Sequence, residues 1–221
     1  MFKFQPKMRV VLLGGGGQAL NILGLISDIN QSLGLGRGRL ISVAGILADS
    51  EISQERFSGL RVSQIGTISD LAAVDATHYF IAVGSSQDRQ NIHRSIQTNL
   101  KAATLVHPST TMGIGCTYGE GTVVLGGTRF GPKCTIGNHV CISHGVLVGH
   151  ETTIGDFSSV YPGAIVAGNV SIGTATTAGT GSTIIEKVVV SDNAYIAAGA
   201  VVIRDVPLGE KVMGVPARAV L

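Results

Sequence analysis

The sequence from residue 130 to residue 148, FGPKCTIGNHVCISHGVLV, has a large apolar residue at every sixth position: Phe130, Ile136, Ile142 and Val148. The same register continues on both sides, so that every sixth residue from Val106 to Leu208 is apolar. A six-residue period matches neither an α-helix nor a flat two-sided strand. It is typical of a hexapeptide parallel β-helix, in which a short strand and a corner repeat and one large residue per hexad points into the core.

The register also predicts which other positions face inward. Four residues after each apolar position the side chain is small or β-branched, as at Thr122 and Thr152, and we expect these side chains to point inward. Two residues after each apolar position the residue is mostly polar, Gly or Pro, so these positions should face outward. Gly often follows the apolar residue directly, as at Gly131 and Gly149, where we expect it to supply backbone freedom for a tight corner. Three hexads should form one triangular coil, stacked about 4.8 Å from the next. An ordinary β-sandwich is the alternative, but its alternation should not keep a six-residue register.

Composition limits the classes of protein. Of 221 residues 44% are hydrophobic and 14% charged, which is typical of a core-rich globular chain. The formal net charge of +2 and the absence of a basic run argue against a nucleic-acid or membrane surface. No apolar stretch reaches the length of a membrane span, so we expect a cytoplasmic protein. Cys116, Cys134 and Cys141 lack the spacing of a metal or redox motif and are interpreted as core thiols.

The pattern before residue 105 differs from the repeat, because apolar strands alternate with helical segments. Strands are predicted at 9–13, 40–47 and 79–83, and helices at 18–33 and 88–100. Strands separated by helices indicate a small parallel α/β domain. We therefore predict two domains: a Rossmann-like half domain over residues 1–104 that binds a nucleotide sugar, and a parallel β-helix over residues 105–221 with a C-terminal tail.

A run of glycines follows the first predicted strand. Gly14, Gly16 and Ala19 fit the loose GxGxxG/A fingerprint, in which a phosphate approaches the backbone at a helix N-terminus. Asp49, after the second strand, is placed to bond a ribose hydroxyl. Because only half of a dinucleotide fold is present, a single nucleotide fits better than NAD. The glycines can also be explained by turn chemistry alone.

Two of the six histidines, His144 and His150, occupy outward positions in their hexads. His150 is followed at once by Glu151, and a neighbouring carboxylate can orient an imidazole and fix its tautomer. The sequence has no Ser-His-Asp arrangement and no nucleophilic Cys motif. Direct attack on an acyl donor is therefore favoured over a covalent enzyme intermediate.

Several stretches along the chain resemble a known family. The second half resembles the left-handed β-helix acyltransferases. The whole chain resembles the branch with sialic-acid O-acetyltransferases and the N-acetyltransferases of nucleotide-linked 4-amino-4,6-dideoxy sugars. The stretches that carry this resemblance are Gly14-Gly15-Gly16-Gly17-Gln18, Phe80-Ile81-Ala82-Val83-Gly84, Leu105-Val106-His107-Pro108-Ser109, Val148-Gly149-His150-Glu151 and Gly214-Val215-Pro216-Ala217-Arg218.

The resemblance implies roles for particular residues and a left-handed β-helix. His150 is implied as the general base and Glu151 as its partner. Acetyl-CoA is implied as the co-substrate, and no metal is implied. The resemblance also implies a homotrimer, with acetyl-CoA between its subunits and the phosphates of acetyl-CoA near Lys211 or Arg218. The implied cofactor contacts are Ser159, Thr180 and Ala198, and the implied nucleotide-sugar contacts are Gly16, Gly17, Gln18, Asp49, Gly84 and Arg89. Relatives often have a His where this chain has Gln18 and Ser159.

The function expected on this basis is N-acetylation of the amino group of a nucleotide-linked amino-dideoxy sugar, as a step in glycan biosynthesis. O-acetylation of a sialic-acid-type sugar is an alternative within the same class. A non-catalytic scaffold or sugar-binding solenoid is an alternative from another class. A zinc enzyme of the γ-carbonic-anhydrase type shares the repeat and would need His139, His144 and His150 at a subunit interface.

Overall fold

The computed structural model describes residues 8–32 and 41–220. The chain divides into two compact units, Met1–Pro108 and Ser109–Leu221. Residues 33 and 40, at the predicted ends of a helix and a strand, lie outside the described residues. None of the helices in the described ranges is long and apolar enough to cross a membrane.

The first unit contains a parallel sheet and two α-helices within the described residues. In chain order its elements are β1 (Met8–Leu13), α1 (Gly17–Ser32), β2 (Ile41–Leu47), a 3-10 helix (Glu55–Phe57), β3 (Gln64–Gly66), a second 3-10 helix (Ile68–Ala73), β4 (His78–Ile81), α2 (Ser86–Ser95), β5 (Lys101–Ala102) and β6 (Leu105–Val106). The strand order is β3-β2-β1-β4-β5, and every pair is parallel. The predicted α/β character of this part is confirmed.

The order of the strands is of the kind that leaves a crevice at the carboxyl edge of the sheet. From the central β1 the chain runs to β2 and β3 on one side and then returns to place β4 and β5 on the other. At such a reversal the loops after the two middle strands diverge and leave space at their carboxyl ends. Here those loops follow Leu13 and Ile81.

The second helix differs from its prediction. It begins at Ser86 rather than residue 88, because the hydroxyl of Ser85 accepts a hydrogen bond from Asp88 N at 3.2 Å and caps the helix. It ends at Ser95 and not at residue 100. The short strands β3 and β5 were not predicted, since runs of two or three residues carry no periodic signal.

The second unit is a left-handed parallel β-helix built from very short strands. The strands are β7 (Thr117–Tyr118), β8 (Val123–Val124), β9 (Arg129–Phe130), β10 (Thr135–Ile136), β11 (Cys141–Ile142), β12 (Leu147–Val148), β13 (Thr153–Ile154), β14 (Ser159–Val160), β15 (Ile165–Val166), β16 (Ser171–Ile172), β17 (Thr177–Ala178), β18 (Thr183–Ile184), β19 (Val189–Val190), β20 (Tyr195–Ile196), β21 (Val201–Val202), β22 (Lys211–Met213) and β23 (Arg218–Ala219). They stack as β7-β10-β13-β16-β19, as β9-β12-β15-β18-β21, and as β8-β11-β14-β17-β20-β22 with β23 antiparallel to β22.

The predicted inward phase is confirmed through the middle of the repeat. Ile136 pairs with Ile154, and Ile154 with Ile172, so that residues one coil apart lie in register. Every sixth residue from Val124 to Val202 is buried, and so are the small residues four places later. Many of the small residues are Thr or Ser because their hydroxyls donate to corner carbonyls: Thr152 Oγ1 donates to Ala167 O at 2.9 Å. Such bonds satisfy backbone oxygens that face the interior.

The two ends of the repeat depart from the prediction. Tyr118 is 48% exposed, because it lies on the first strand of its stack. Leu208 is 71% exposed, because the last coil is two residues short. Val212 pairs with Ile196, a separation of 16 (212 minus 196) where earlier coils have 18. Val206 fills the interior position instead and bridges to Val190.

Glycine has a different role at the corners from the one expected. The left-handed backbone conformation falls two residues after the predicted glycine, for example at His139 (φ 53°) rather than at Gly137. Gly131 has no room for a side chain, since a Cβ there would lie 2.6 Å from His150 N. Gly131 is therefore needed because successive coils touch at this corner.

Two of the three thiols, Cys134 and Cys141, are buried core residues as predicted, whereas Cys116 is partly exposed. Cys134 is buried, and its Sγ donates to Gly149 O at 3.1 Å. Burial, with the thiol of Cys116 nearby, raises the pKa of Cys134 to about 11. A thiol in this state is a weak nucleophile at neutral pH.

One edge of the β-helix is held by a ladder of Asn and Asp side chains. Asp156 Oδ1 accepts from Asn138 N at 2.7 Å, and Asn138 Oδ1 accepts from Glu120 N at 2.9 Å. Asp192 Oδ1 accepts from Thr174 N at 2.7 Å two coils further on. We call this the Asn/Asp edge.

A substitution in the core should lower the free energy of unfolding more than a substitution in the Asn/Asp edge. Ile154→Asp places an unpaired carboxylate at a fully buried site and should lower the free energy of unfolding by several kcal/mol, to the point of insolubility. Asp156→Ala removes an exposed-edge hydrogen bond and should cost about 1 kcal/mol. Urea denaturation of both variants measures the difference. Equal losses would show that the inward phase is wrong.

Candidate active site

His150 occupies an exposed corner of the β-helix, directly after β12. Its Nδ1 lies 3.0 Å from Glu151 Oε2, and the two side chains are 58% and 49% exposed. The corner backbone is fixed from both neighbouring coils, since Glu151 N donates to Pro132 O at 2.9 Å and Asn169 N donates to His150 O at 2.8 Å. The outward position predicted for His150 is confirmed.

This pair has the geometry of a base and its orienting partner. When the Glu151 carboxylate accepts a hydrogen bond from Nδ1–H, the neutral imidazole has its lone pair on Nε2. Nε2 can then take a proton from a bound nucleophile. Because both side chains lie at the surface, a substrate can reach them without opening the fold.

His150 belongs to a column of residues that we call the His150 edge. This column follows the strands of the β9 stack, one coil after another, and contains Pro132, His150, Gly168, Glu186 and Arg204.

Two of the expected cofactor residues lie on a different edge. Thr180 and Ala198 follow β17 and β20, are exposed, and lie one coil apart, with Gly199 N donating to Thr180 O at 2.8 Å. His144 belongs to the same column. Ser159 lies on β14 of the same stack and is buried.

The edge that carries Thr180 and Ala198 has glycine at every left-handed position; we call it the glycine edge. Its left-handed residues are Gly127, Gly145, Gly163, Gly181 and Gly199. The other two edges have glycine in this conformation near their ends, at Gly115, Gly121 and Gly209. Between these they adopt it with other residues, namely His139, Phe157, Ala175, Asn193, Lys133, Glu151, Asn169 and Lys187.

Neither conformation nor packing within the chain accounts for these glycines. Residues as large as Phe157 (φ 59°) take the same backbone conformation elsewhere. A Cβ at Gly145, Gly163, Gly181 or Gly199 would meet no atom within 4 Å. The glycine edge thus has bare backbone at its left-handed positions, where a long ligand or another chain can approach closely.

Within one chain, the proposed base His150 and the predicted cofactor residue Thr180 lie on different edges and are not neighbours. His150 follows the β9 stack and Thr180 follows the β8 stack, so that they lie on separate edges of the triangular prism. A hexad of largely extended chain, at most about 20 Å, separates neighbouring edges.

The first unit brings the predicted nucleotide-sugar residues to one edge of its sheet. Gly16, Gly17 and Gln18 follow β1, Asp49 follows β2 and Gly84 follows β4. These are the carboxyl ends of the strands next to the crevice.

The glycines of this edge fall into two groups. A Cβ at Gly14 would lie 2.6 Å from Val83 Cγ2, and one at Gly15 would collide with Ile52, so packing requires both glycines. A Cβ at Gly16, Gly17 or Gly84 would meet nothing within 4 Å. Their backbone is therefore open to a ligand at the N-terminus of α1.

Two residues predicted to contact the nucleotide sugar, Asp49 and Arg89, form hydrogen bonds within the fold. Asp49 Oδ1 accepts from Ile68 N at 3.0 Å, which leaves its other oxygen for a ligand. Arg89 is 1% exposed, and its Nη1 donates to Val83 O at 3.1 Å and to Gly84 O at 2.7 Å. Arg89 thus shapes the loop after β4, and its direct contact with a phosphate stays a prediction.

Arg56 is a cation at this edge that the sequence pattern did not reveal. Its Nη1 donates to Gly15 O at 3.3 Å, and its side chain is exposed. Gln64 fixes the segment before it, since Nε2 donates to Ala48 O at 2.8 Å and Oε1 accepts from Ile52 N at 3.1 Å. Arg56 and Gly15 are 41 residues apart, so no local motif links them.

The remaining predicted residues lie near the end of the β-helix or inside it. Lys211 lies on β22, which pairs with β20, and Arg218 on β23; both are exposed. His139 is buried, and its ring stacks on Phe157 at 5.0 Å. Among the described residues, no three His, Cys, Asp or Glu side chains are grouped so as to hold a metal ion.

Comparison with known proteins agrees with the resemblance seen in the sequence. No protein-family model matches the chain, and no curated protein sequence matches it. A histidine-to-asparagine variant of perosamine N-acetyltransferase from Caulobacter crescentus, solved with CoA and GDP-perosamine, is 25% identical over 96% of both chains, with a TM-score of 0.82. The acetyltransferase domain of PglB from Neisseria gonorrhoeae, solved with acetyl coenzyme A, is 25% identical over 96% of this chain and 99% of that chain, with a TM-score of 0.82.

A third structure shows the fold alone. WeeI from Acinetobacter baumannii is 23% identical over 96% of this chain and 100% of that chain, with a TM-score of 0.77. The first two neighbours are a perosamine N-acetyltransferase and an acetyltransferase domain, and both match nearly the whole chain, so the predicted resemblance to sugar acetyltransferases is confirmed.

Proposed function

We propose that this protein is an acetyl-CoA-dependent N-acetyltransferase that acts on the amino group of a nucleotide-linked amino-dideoxy sugar. The observation that carries the proposal is the match, over 96% of the chain, to structures solved with CoA and GDP-perosamine or with acetyl coenzyme A. The exposed His150–Glu151 pair supplies the base that such a reaction needs.

The proposed reaction is a direct transfer. Nε2 of His150 takes a proton from the attacking amine while the amine nitrogen forms a bond to the thioester carbonyl carbon. Glu151 holds Nδ1 and so keeps the imidazole in the required tautomer. A backbone N–H stabilises the oxyanion, the carbon–sulfur bond breaks, and the CoA thiolate leaves and is protonated.

The glycine edge supports the proposed cofactor contacts of Thr180 and Ala198. Both residues are exposed on this edge, where the backbone carries no side chains at its left-handed positions. A narrow, extended chain such as pantetheine fits along such a strip. Ser159 is buried, so it would contribute through its strand rather than from the open surface.

The carboxyl edge of the first unit is the proposed nucleotide site. Gly16, Gly17 and Gly84 leave room for phosphates close to the backbone, at the positive end of α1. Arg56 adds a full positive charge there, and Gln18 and Asp49 offer polar side chains. A guanidinium binds a diphosphate well because its donors match two phosphate oxygens.

A homotrimer, which the family resemblance implies, would bring the two separated edges together. If His150 and the glycine edge form one site, that site needs the His150 edge of one subunit beside the glycine edge of the next. Cyclic symmetry closes such head-to-tail contacts into a ring, here proposed to contain three subunits.

The first test removes the base. His150→Ala should lower kcat/KM for acetyl-CoA and an amino-sugar nucleotide by at least about a hundredfold, since general-base assistance is typically worth about 10² to 10⁴. The melting temperature should change little because the side chain is exposed. Glu151→Ala should cost less, because the imidazole remains and loses only its orientation.

His93→Ala, at an exposed histidine near the end of α2, is the control and should keep full activity. His144→Ala tests the assignment of the base, because His144 is the other exposed corner histidine of the β-helix and lies on the glycine edge. Loss of activity in His144→Ala with activity kept in His150→Ala would overturn the assignment of the base. Acetylation of a free sialic acid with none of an amino-sugar nucleotide would favour the O-acetyltransferase. Absence of CoA binding would favour a scaffold.

The shared site can be tested by mixing two inactive variants. Gly181→Phe should block the glycine edge, and Ala175→Phe, with a similar backbone φ on the Asn/Asp edge, should leave turnover unchanged. Co-expressed His150→Ala and Gly181→Phe chains should regain activity, because each mixed trimer contains one intact site, about a third of the normal number. No recovery in mixed particles, or a 22.7 kDa monomer in sedimentation, would contradict the trimeric site.

The proposed role of Arg56 in nucleotide binding can be tested by measuring nucleotide affinity, without an activity assay. Arg56→Gln should weaken binding of a nucleoside diphosphate by roughly 10- to 100-fold, the effect expected for one charge-assisted hydrogen bond. Arg61→Gln, at another exposed arginine of the same unit, should have no effect. Calorimetry with GDP and UDP gives the measurement. Equal affinity of the Arg56 variant and the parent protein would remove Arg56 from the site.

A further inference from the structure

Gly168 occupies the position one coil above His150 on the His150 edge. Its backbone is not in the left-handed region, so its conformation is open to any residue. The same column carries a side chain at Pro132 below and at Glu186 above. Conformation therefore gives no reason for glycine at this position.

The space of the missing side chain is filled by the imidazole of His150. A Cβ at Gly168 would lie 2.6 Å from His150 Nε2, 2.9 Å from Cε1 and 3.0 Å from Cδ2. These ring atoms are its three nearest neighbours. Gly131, by contrast, is crowded by backbone atoms of the next coil. The closest conflict at residue 168 is thus with the imidazole.

We propose that Gly168 is a positioning residue for His150. The inference rests on the proposed function, in which His150 is the base. Glycine at this position lets the imidazole lie flat over the corner of the next coil while Nδ1 stays 3.0 Å from Glu151 Oε2. The ring is thereby held from two sides, by a carboxylate in its own corner and by bare backbone above it.

The size of the expected effect follows from the contact distances. Carbon and nitrogen atoms in ordinary contact lie about 3.5–4.0 Å apart, so a methyl group at residue 168 would move the ring by about 1 Å. A misplacement of this size can reduce turnover by up to about 100-fold. The displaced ring would also leave its hydrogen-bond distance to Glu151.

The experiment compares two glycine-to-alanine variants. Gly168→Ala should lower kcat by roughly 10- to 100-fold, and should shift the NMR resonances of the His150 imidazole. Gly24→Ala is the control, because a Cβ at this helical residue of α1, unlike one at Gly168, would meet nothing within 4 Å. It should change neither turnover nor the imidazole resonances.

A double variant decides whether Gly168 acts through His150. In the His150→Ala background, Gly168→Ala should have no further effect on kcat, because the imidazole that it displaces is absent. An equal loss in both backgrounds, or full activity and unshifted resonances in Gly168→Ala, would overturn the inference. If Gly168→Ala alone fails to fold but the double variant folds, the result supports a collision between the added methyl group and the imidazole. If the double variant also fails to fold, the result opposes such a collision. Activity retained by His150→Ala would instead refute the proposed base.

Discussion

The stacking of coils in register is the constraint on which the rest of the β-helix depends. Each two-residue strand pairs with the strand one coil above and one coil below, so that a side chain repeats its environment at every coil. No coil can bury its apolar residues alone. The interior is therefore uniform and provides stability, whereas the corners differ from one another and can carry function.

The three edges show how the same backbone conformation serves different purposes. The Asn/Asp edge uses carboxylate and amide oxygens to cap backbone N–H groups of the next coil, as Asp156 does for Asn138. The glycine edge leaves its backbone bare at Gly145, Gly163 and Gly181. The His150 edge presents a base with its carboxylate partner. Stability and proposed chemistry are thus placed on separate edges of one prism.

In the first unit, the same loops are used for packing and for the proposed nucleotide site. Gly14 and Gly15 let the loop pack against Val83 and Ile52, while Gly16 and Gly17 face open space. Arg89 is buried to hold the loop after β4. The exposed cation of this edge is Arg56, which the glycine loop holds through Gly15 O.

The sequence alone predicts the β-helix, its inward phase and the outward position of His150, because a six-residue period leaves one solution for the core. It also predicted the parallel α/β unit from strand and helix periodicity. It could not predict that Leu208 leaves the core, that Arg89 is buried or that Arg56 reaches the glycine loop, since these depend on contacts between distant residues. The same register predicts that His150 and Thr180 lie on different edges, because they are not separated by a whole number of coils, and the strand stacks confirm it. Only the tertiary structure showed that the imidazole fills the space left by Gly168, because side chains one coil apart meet only when the coils stack.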